Sequence, residues 1–109
     1  MELSQDMKQE KDIALWIKDP YRGYRKPDGF CDMVEKKIFI NEEHWESINM
    51  WQRQELLYHE LGHCLLRLKD KTGYSIMNPL VSTMYHVKED GSNWNELVEE
   101  LQLSVKAAR

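Results

Sequence analysis

The chain has 109 residues, 41% of them apolar and 31% charged, with a formal net charge of −4. That suits one compact domain over residues 1–109 and leaves no room for a second. Lys and Arg are scattered, so no electrostatic footprint for nucleic acid is present. Residues 1–20 contain no uninterrupted apolar run, which argues against a signal peptide or membrane span and for a cytoplasmic site of action.

In chain order, residues 4–17 have helical spacing at Met7, Ala14 and Ile17, with Leu15 and Trp16 beside them and Ser4 as the N-cap. Asp19-Pro20 ends that helix. Gly23, Pro27 and Asp28-Gly29 then give "YRGYRKPDGF" the chemistry of a loop. "FCDM" and "KIFI" flank "VEKK" and read as a short hairpin, with Ile38 and Ile40 on one face and Phe39 on the other. Asn41 caps a short turn through "EEHWES". Cys31 and Cys64 are the only cysteines. With no secretion signal, the expectation is two free thiols used as small core residues, a bridge from strand to helix being the alternative.

Met50 to Leu68 reads as the central helix. At about 100° per residue, Leu57, Leu61, Cys64, Leu65 and Leu68 share one arc. His59 and His63, one turn apart, project from nearly the opposite side, where Leu56 and Leu66 could wall a pocket. A turn around Gly73 and the break at Pro79 follow. Asn93 to about Lys106 forms an amphipathic helix with Trp94, Leu97, Val98, Leu101 and Val105 on one face, Asn93 and Glu96 making a capping box. Trp45, Trp51 and Trp94 are expected in the core.

The string His59-Glu60-Leu61-Gly62-His63 carries chemistry. Two imidazoles at i and i+4 can ligate one metal ion, and Glu60 projects far enough round the helix to serve a metal-bound water as general base. Zinc lowers the pKa of such a water from about 15.7 to about 7 and polarises a carbonyl oxygen. Glu60 would then carry the proton to the leaving amine. The pattern arises by chance in roughly one chain of this length in several hundred.

"HELGH" followed by "SIMNP" resembles the metzincin clan of zinc peptidases, and, over roughly residues 30–80, small bacterial and phage metallopeptidases. The resemblance implies a small α+β zincin-like domain: a short hairpin or small sheet, the HExxH helix, a methionine turn and a C-terminal helix. It implies a zinc cofactor, a peptide or protein substrate, and Met77 in a turn beneath the metal. The metzincin pattern continues HExxHxxGxxH, whereas here Leu66 takes the glycine position and Lys69 the third histidine position. A protonated lysine is a poor ligand, so Asp70 is the expected third ligand, with His86 and Glu96 (Glu99 and Glu100 behind it) as alternatives. Tyr74 and Tyr85 flank the methionine turn as candidate oxyanion stabilisers. His44 is expected to be exposed or packed on Trp45. Two other readings stay open: a regulatory zinc peptidase resembling the ImmA/IrrE type, and a non-catalytic, metal-stabilised binding module.

Overall fold

The structure, a computed structural model, describes residues 14–16, 28–32, 34–79 and 84–108. It has the expected α+β form. Strands β1 (Ala14–Trp16), β2 (Gly29–Asp32) and β3 (Lys37–Ile40) form a sheet in the order β1-β3-β2. β2 and β3 are the expected hairpin, antiparallel, with Phe30 opposite Phe39 and Cys31 opposite Ile38. Met33 lies outside the described residues. The Asp32 carboxylate closes the turn by accepting from the Val34 and Glu35 amides at 3.0 and 3.1 Å. Ile38 and Ile40 are buried, while Phe39 stacks on Phe30 across the other face, ring centroids 5.1 Å apart.

Ala14–Trp16 corrects the expected N-terminal helix. It is a strand parallel to β3, with Leu15 opposite Ile38. Three residues with a branched or aromatic flank follow an available sheet edge rather than a weak helical spacing. The remainder of that expected helix lies outside the described residues.

Helix α1 (Glu42–Ser47) starts at Asn41, whose side chain accepts from the His44 amide, as expected. Helix α2 (Met50–Cys64) opens on a capping box that joins Asn49 and Gln52 reciprocally. It stops at Cys64, four residues before the expected Leu68. The chain turns through Arg67 at φ 55°, and the Leu68 amide returns to the Gly62 carbonyl at 2.9 Å.

α2 is covered on both sides, and this changes its expected burial. Towards the sheet, Ile38, Ile40, Leu56 and Cys64 form one cluster, with Cys31, Trp45, Leu57, Leu61 and Tyr85 packed against it. Towards helix α3 (Trp94–Ala108), a second cluster gathers Leu68, Ile76, Met77, Val87, Trp94, Leu97, Val98, Leu101 and Val105. Leu56 therefore belongs to the core rather than to a pocket wall, and Leu66 packs on the second cluster. All five expected apolar residues of α3 are buried. Trp94 is fully buried, and Trp51 and Trp45 are half-buried against the two clusters.

The start of α3 corrects the expected capping box. The Asn93 side chain points inward, accepting from the Lys88 amide at 2.7 Å and donating to the His86 carbonyl at 2.8 Å and the Tyr74 hydroxyl at 2.7 Å. Nearby Gly91 has φ 72°, and a Cβ there would run into the Trp51 ring. Left-handed backbone and overpacking add. Gly91→Ala is expected to cost about 3 kcal/mol, read as a lower urea midpoint with an unchanged m-value.

The expected free thiols are also corrected. The hairpin register puts Cys31 on the face of Ile38, towards the C-terminal end of α2, where it forms a disulfide with Cys64, Cα–Cα 5.5 Å. The bridge closes a sequence separation of 33 residues. By the loop-entropy relation, reduction is expected to lower stability by about 3–4 kcal/mol, measured by urea unfolding with and without a dithiol reductant.

Candidate metal centre

The turn of α2 between His59 and His63 sets their rings edge to face, centroids 4.7 Å apart, and brings the two Nε2 atoms to 3.2 Å. Each ring is fixed from behind. His59 Nδ1 donates to the Ile76 carbonyl at 2.7 Å, and His63 Nδ1 donates to the Leu68 carbonyl at 2.8 Å. A proton used on Nδ1 leaves Nε2 of the neutral ring as a lone pair, the form that binds a metal. Burial pushes the His59 pKa down, outweighing the opposite pull of the Ile76 hydrogen bond, and so favours the neutral ring.

The early end of α2 brings Asp70 back over the histidines. Its Oδ1 lies 3.0 Å from His63 Nε2 and 3.7 Å from His59 Nε2. Three electron-pair donors thus converge with separations of 3.2, 3.0 and 3.7 Å. Ligands about 2.0–2.1 Å from a tetrahedral zinc ion are about 3.3 Å apart, so the donor set fits such an ion in type and in spacing.

Glu60 completes the group. The ligand atoms of His59, Glu60 and His63 also lie within 4.8 Å of one another, close enough to hold a metal ion. Glu60 is 3% exposed, and its Oε2 has no hydrogen-bond partner among the described residues. Burial, and then the neighbouring Asp70 charge, push its pKa up to about 7. Gly29 at the start of β2 walls this carboxylate: a Cβ there would sit 3.4 Å from Glu60 Cγ and Oε2.

Met77 is buried under α2, its sulfur against Gly62, where a Cβ would run into it. The turn is held by the Ser75 hydroxyl, which accepts from the Met77 amide at 3.1 Å, and by the Asn78 side chain, which donates to the Gly73 carbonyl at 2.8 Å. Thus Ile76, next to Met77, orients His59.

The other expected residues are engaged elsewhere. The Tyr74 hydroxyl donates to Glu96 at 3.2 Å and accepts from Asn93. The Tyr85 hydroxyl pairs with His44 Nε2 at 2.6 Å, and burial pushes its pKa up. His44 is therefore neither exposed nor merely packed on Trp45; its ring also faces Asp28, with Nδ1 3.6 Å from the carboxylate. His86 lies on Glu55, a fully buried carboxylate that accepts from the His86 amide at 2.9 Å, the Val87 amide at 2.7 Å and His86 Nδ1 at 3.2 Å. Glu100 pairs with Lys71, and Glu99 is exposed.

Sequence reasoning missed the Leu68 and Ile76 carbonyls, which carry no residue-type signal, and Gly62 and Gly29, whose roles depend on what packs against them. Glu55 carried a weak signal, a carboxylate one turn before His59 on a face that also holds Leu56. No protein-family model matches the chain, and neither a curated protein nor a solved structure matches it.

Proposed function

We propose that the chain is a minimal zinc-dependent metallopeptidase of metzincin-like type, acting on peptide or protein substrates. The observation that carries this reading is the convergence of His59 Nε2, His63 Nε2 and Asp70 Oδ1, with both rings fixed through Nδ1. Two imidazole nitrogens and a carboxylate oxygen this close together are suited to share one cation. A zinc ion held there supplies Lewis-acid polarisation of a carbonyl oxygen and a water of pKa about 7.

The chain's own residues supply the rest. His59 and His63 are oriented through their backbone partners, the Ile76 and Leu68 carbonyls. Asp70 brings one negative charge, as in other sites with two histidines and a carboxylate. Glu60, walled by Gly29 and with an oxygen that has no hydrogen-bond partner among the described residues, would take the proton released as water attacks the scissile carbonyl and deliver it to the leaving nitrogen. His63 and Asp70, with side chains 26% and 49% exposed, form the open side through which a substrate enters.

A regulatory peptidase of the ImmA/IrrE kind is less well supported, because Glu96 and Glu100 on α3 are committed to Tyr74 and Lys71. Disulfides persist mainly in oxidising compartments, which weighs against the cytoplasmic expectation. No described helix is long and apolar enough to cross a membrane.

The test is cleavage of a mixed peptide library by the zinc-supplied chain, read by mass spectrometry with and without a chelator. Cleavage that the chelator abolishes and zinc restores supports the reading. Bound zinc with no cleavage at any bond would place the chain among metal-stabilised binding modules.

A further inference from the structure

Apart from α2 itself and Gly29 of β2, one short loop carries the groups that shape the candidate centre. Between the end of α2 and Met77 lie the Leu68 carbonyl on His63, the Asp70 carboxylate, the Ile76 carbonyl on His59, and the buried sulfur beneath Gly62. The Lys71 amide donates to the Met77 carbonyl at 2.8 Å and ties the two ends of this loop together. Yet Asp70 to Tyr74 are exposed. A flexible ligand residue loses conformational freedom on coordination, so the position of Asp70 needs an anchor.

That anchor is on α3. Lys71 Nζ donates to Glu100 Oε2 and lies 3.3 Å from the Ser104 hydroxyl. Ser104 in turn donates to Glu100 Oε2 at 2.9 Å. One carboxylate on α3 therefore holds the loop next to Asp70. Burial pushes the Glu100 pKa up, but the hydrogen bonds, that from Lys71 first, outweigh it and bring the pKa down.

We propose that Glu100 is a positioning residue of the metal centre, holding Asp70 against the paired imidazoles through Lys71. The inference rests on the metal-site reading above, and deepens it by making α3 part of the centre. Glu100 does not touch the metal; it acts through the loop that does.

The test uses cobalt(II) ion alone, added to the full chain and followed by its visible absorption. Glu100→Gln and, separately, Lys71→Met are expected to weaken cobalt binding by about fivefold, the upper range for a partly exposed ion pair that holds a ligand's loop. Both spectra are expected to shift towards that of Asp70→Ala. In the Asp70→Ala background, Glu100→Gln is expected to change affinity by less than about twofold, because its route to the metal is already cut. Lys71 is exposed, so Lys71→Met keeps the test valid if Glu100→Gln fails to fold. Reversing the pair, with Lys71→Glu and Glu100→Lys together, is expected to recover most of the affinity.

Affinities of both single variants within about twofold of wild type would overturn the proposal. So would a Glu100→Gln effect that persists undiminished in Asp70→Ala, the behaviour of a general packing defect. Wild-type protein that binds no cobalt would overturn the metal reading itself, an outcome distinct from unchanged binding in the variants.

Discussion

Glu60→Gln is expected to lower peptide hydrolysis by about 10³-fold or more while zinc remains bound. The amide is nearly isosteric and keeps the wall against Gly29, but it cannot accept the transferred proton. The two histidines and Asp70 keep their spacing. The paired readout, kcat on the best library peptide and zinc content of the same sample, separates loss of the base from loss of the site. Equal loss of zinc and activity would mean that Glu60 holds the metal instead.

The same substitution has a pH signature in the metal-free protein. Glu60 has a folded-state pKa of about 7 against an ordinary 4.5. A raised folded value means that stability is full below about 4.5 and is lost as the pH rises through about 7, because the folded state must then carry a buried carboxylate. Glu60→Gln removes that loss. The metal-free variant is expected to match wild type near pH 4.5 and to exceed it above pH 7 by up to about 3 kcal/mol. Zinc is expected to shrink the difference, since a cation beside the carboxylate offsets its charge. Urea unfolding at both pH values, with and without chelator, checks the sign.

Asp70→Ala is expected to weaken zinc binding by at least about 100-fold, because losing an outer-shell partner alone costs about 10–100-fold. His63 keeps its hydrogen bond to Leu68 and His59 keeps its bond to Ile76, so the remaining rings stay aligned. Asp70→Asn should fall between alanine and wild type, retaining an oxygen ligand without the charge. Competition with a chromogenic chelator gives all three affinities. Zinc retained at wild-type affinity in Asp70→Ala would move the third position to another residue, Glu60 first, because it is the third member of the close group.

The legible parts of this fold were those set by local chemistry. The hairpin followed from alternation at Ile38, Phe39 and Ile40, the Asn41 cap from its side-chain acceptor, and the buried face of α3 from an unbroken apolar stripe. Features that depend on a distant partner were not legible. Ala14–Trp16 becomes a strand because β3 offers it an edge, and Cys31 meets Cys64 because the hairpin lies on α2. The Asn-x-x-Glu pattern at Asn93 and Glu96 suggested a cap, yet Asn93 faces the core. The reciprocal box forms instead at Asn49 and Gln52.

The candidate centre divides in the same way. His59, Glu60 and His63 were visible from their spacing, and Asp70 from the chemical unfitness of Lys69. How Asp70 arrives was not visible, since the turn uses a left-handed Arg67 where a glycine would be the usual signal. Backbone carbonyls leave no mark in a sequence, so the groups that fix both imidazoles were hidden until the loop was folded over them.

Metal content of the purified, folded wild-type chain, by elemental analysis after zinc is supplied and excess removed, bears most directly on the proposed centre. About one zinc per chain is expected from a single site of this kind. A folded chain that retains no zinc, or any other divalent metal offered in its place, would contradict the metal centre and the peptidase reading built on it.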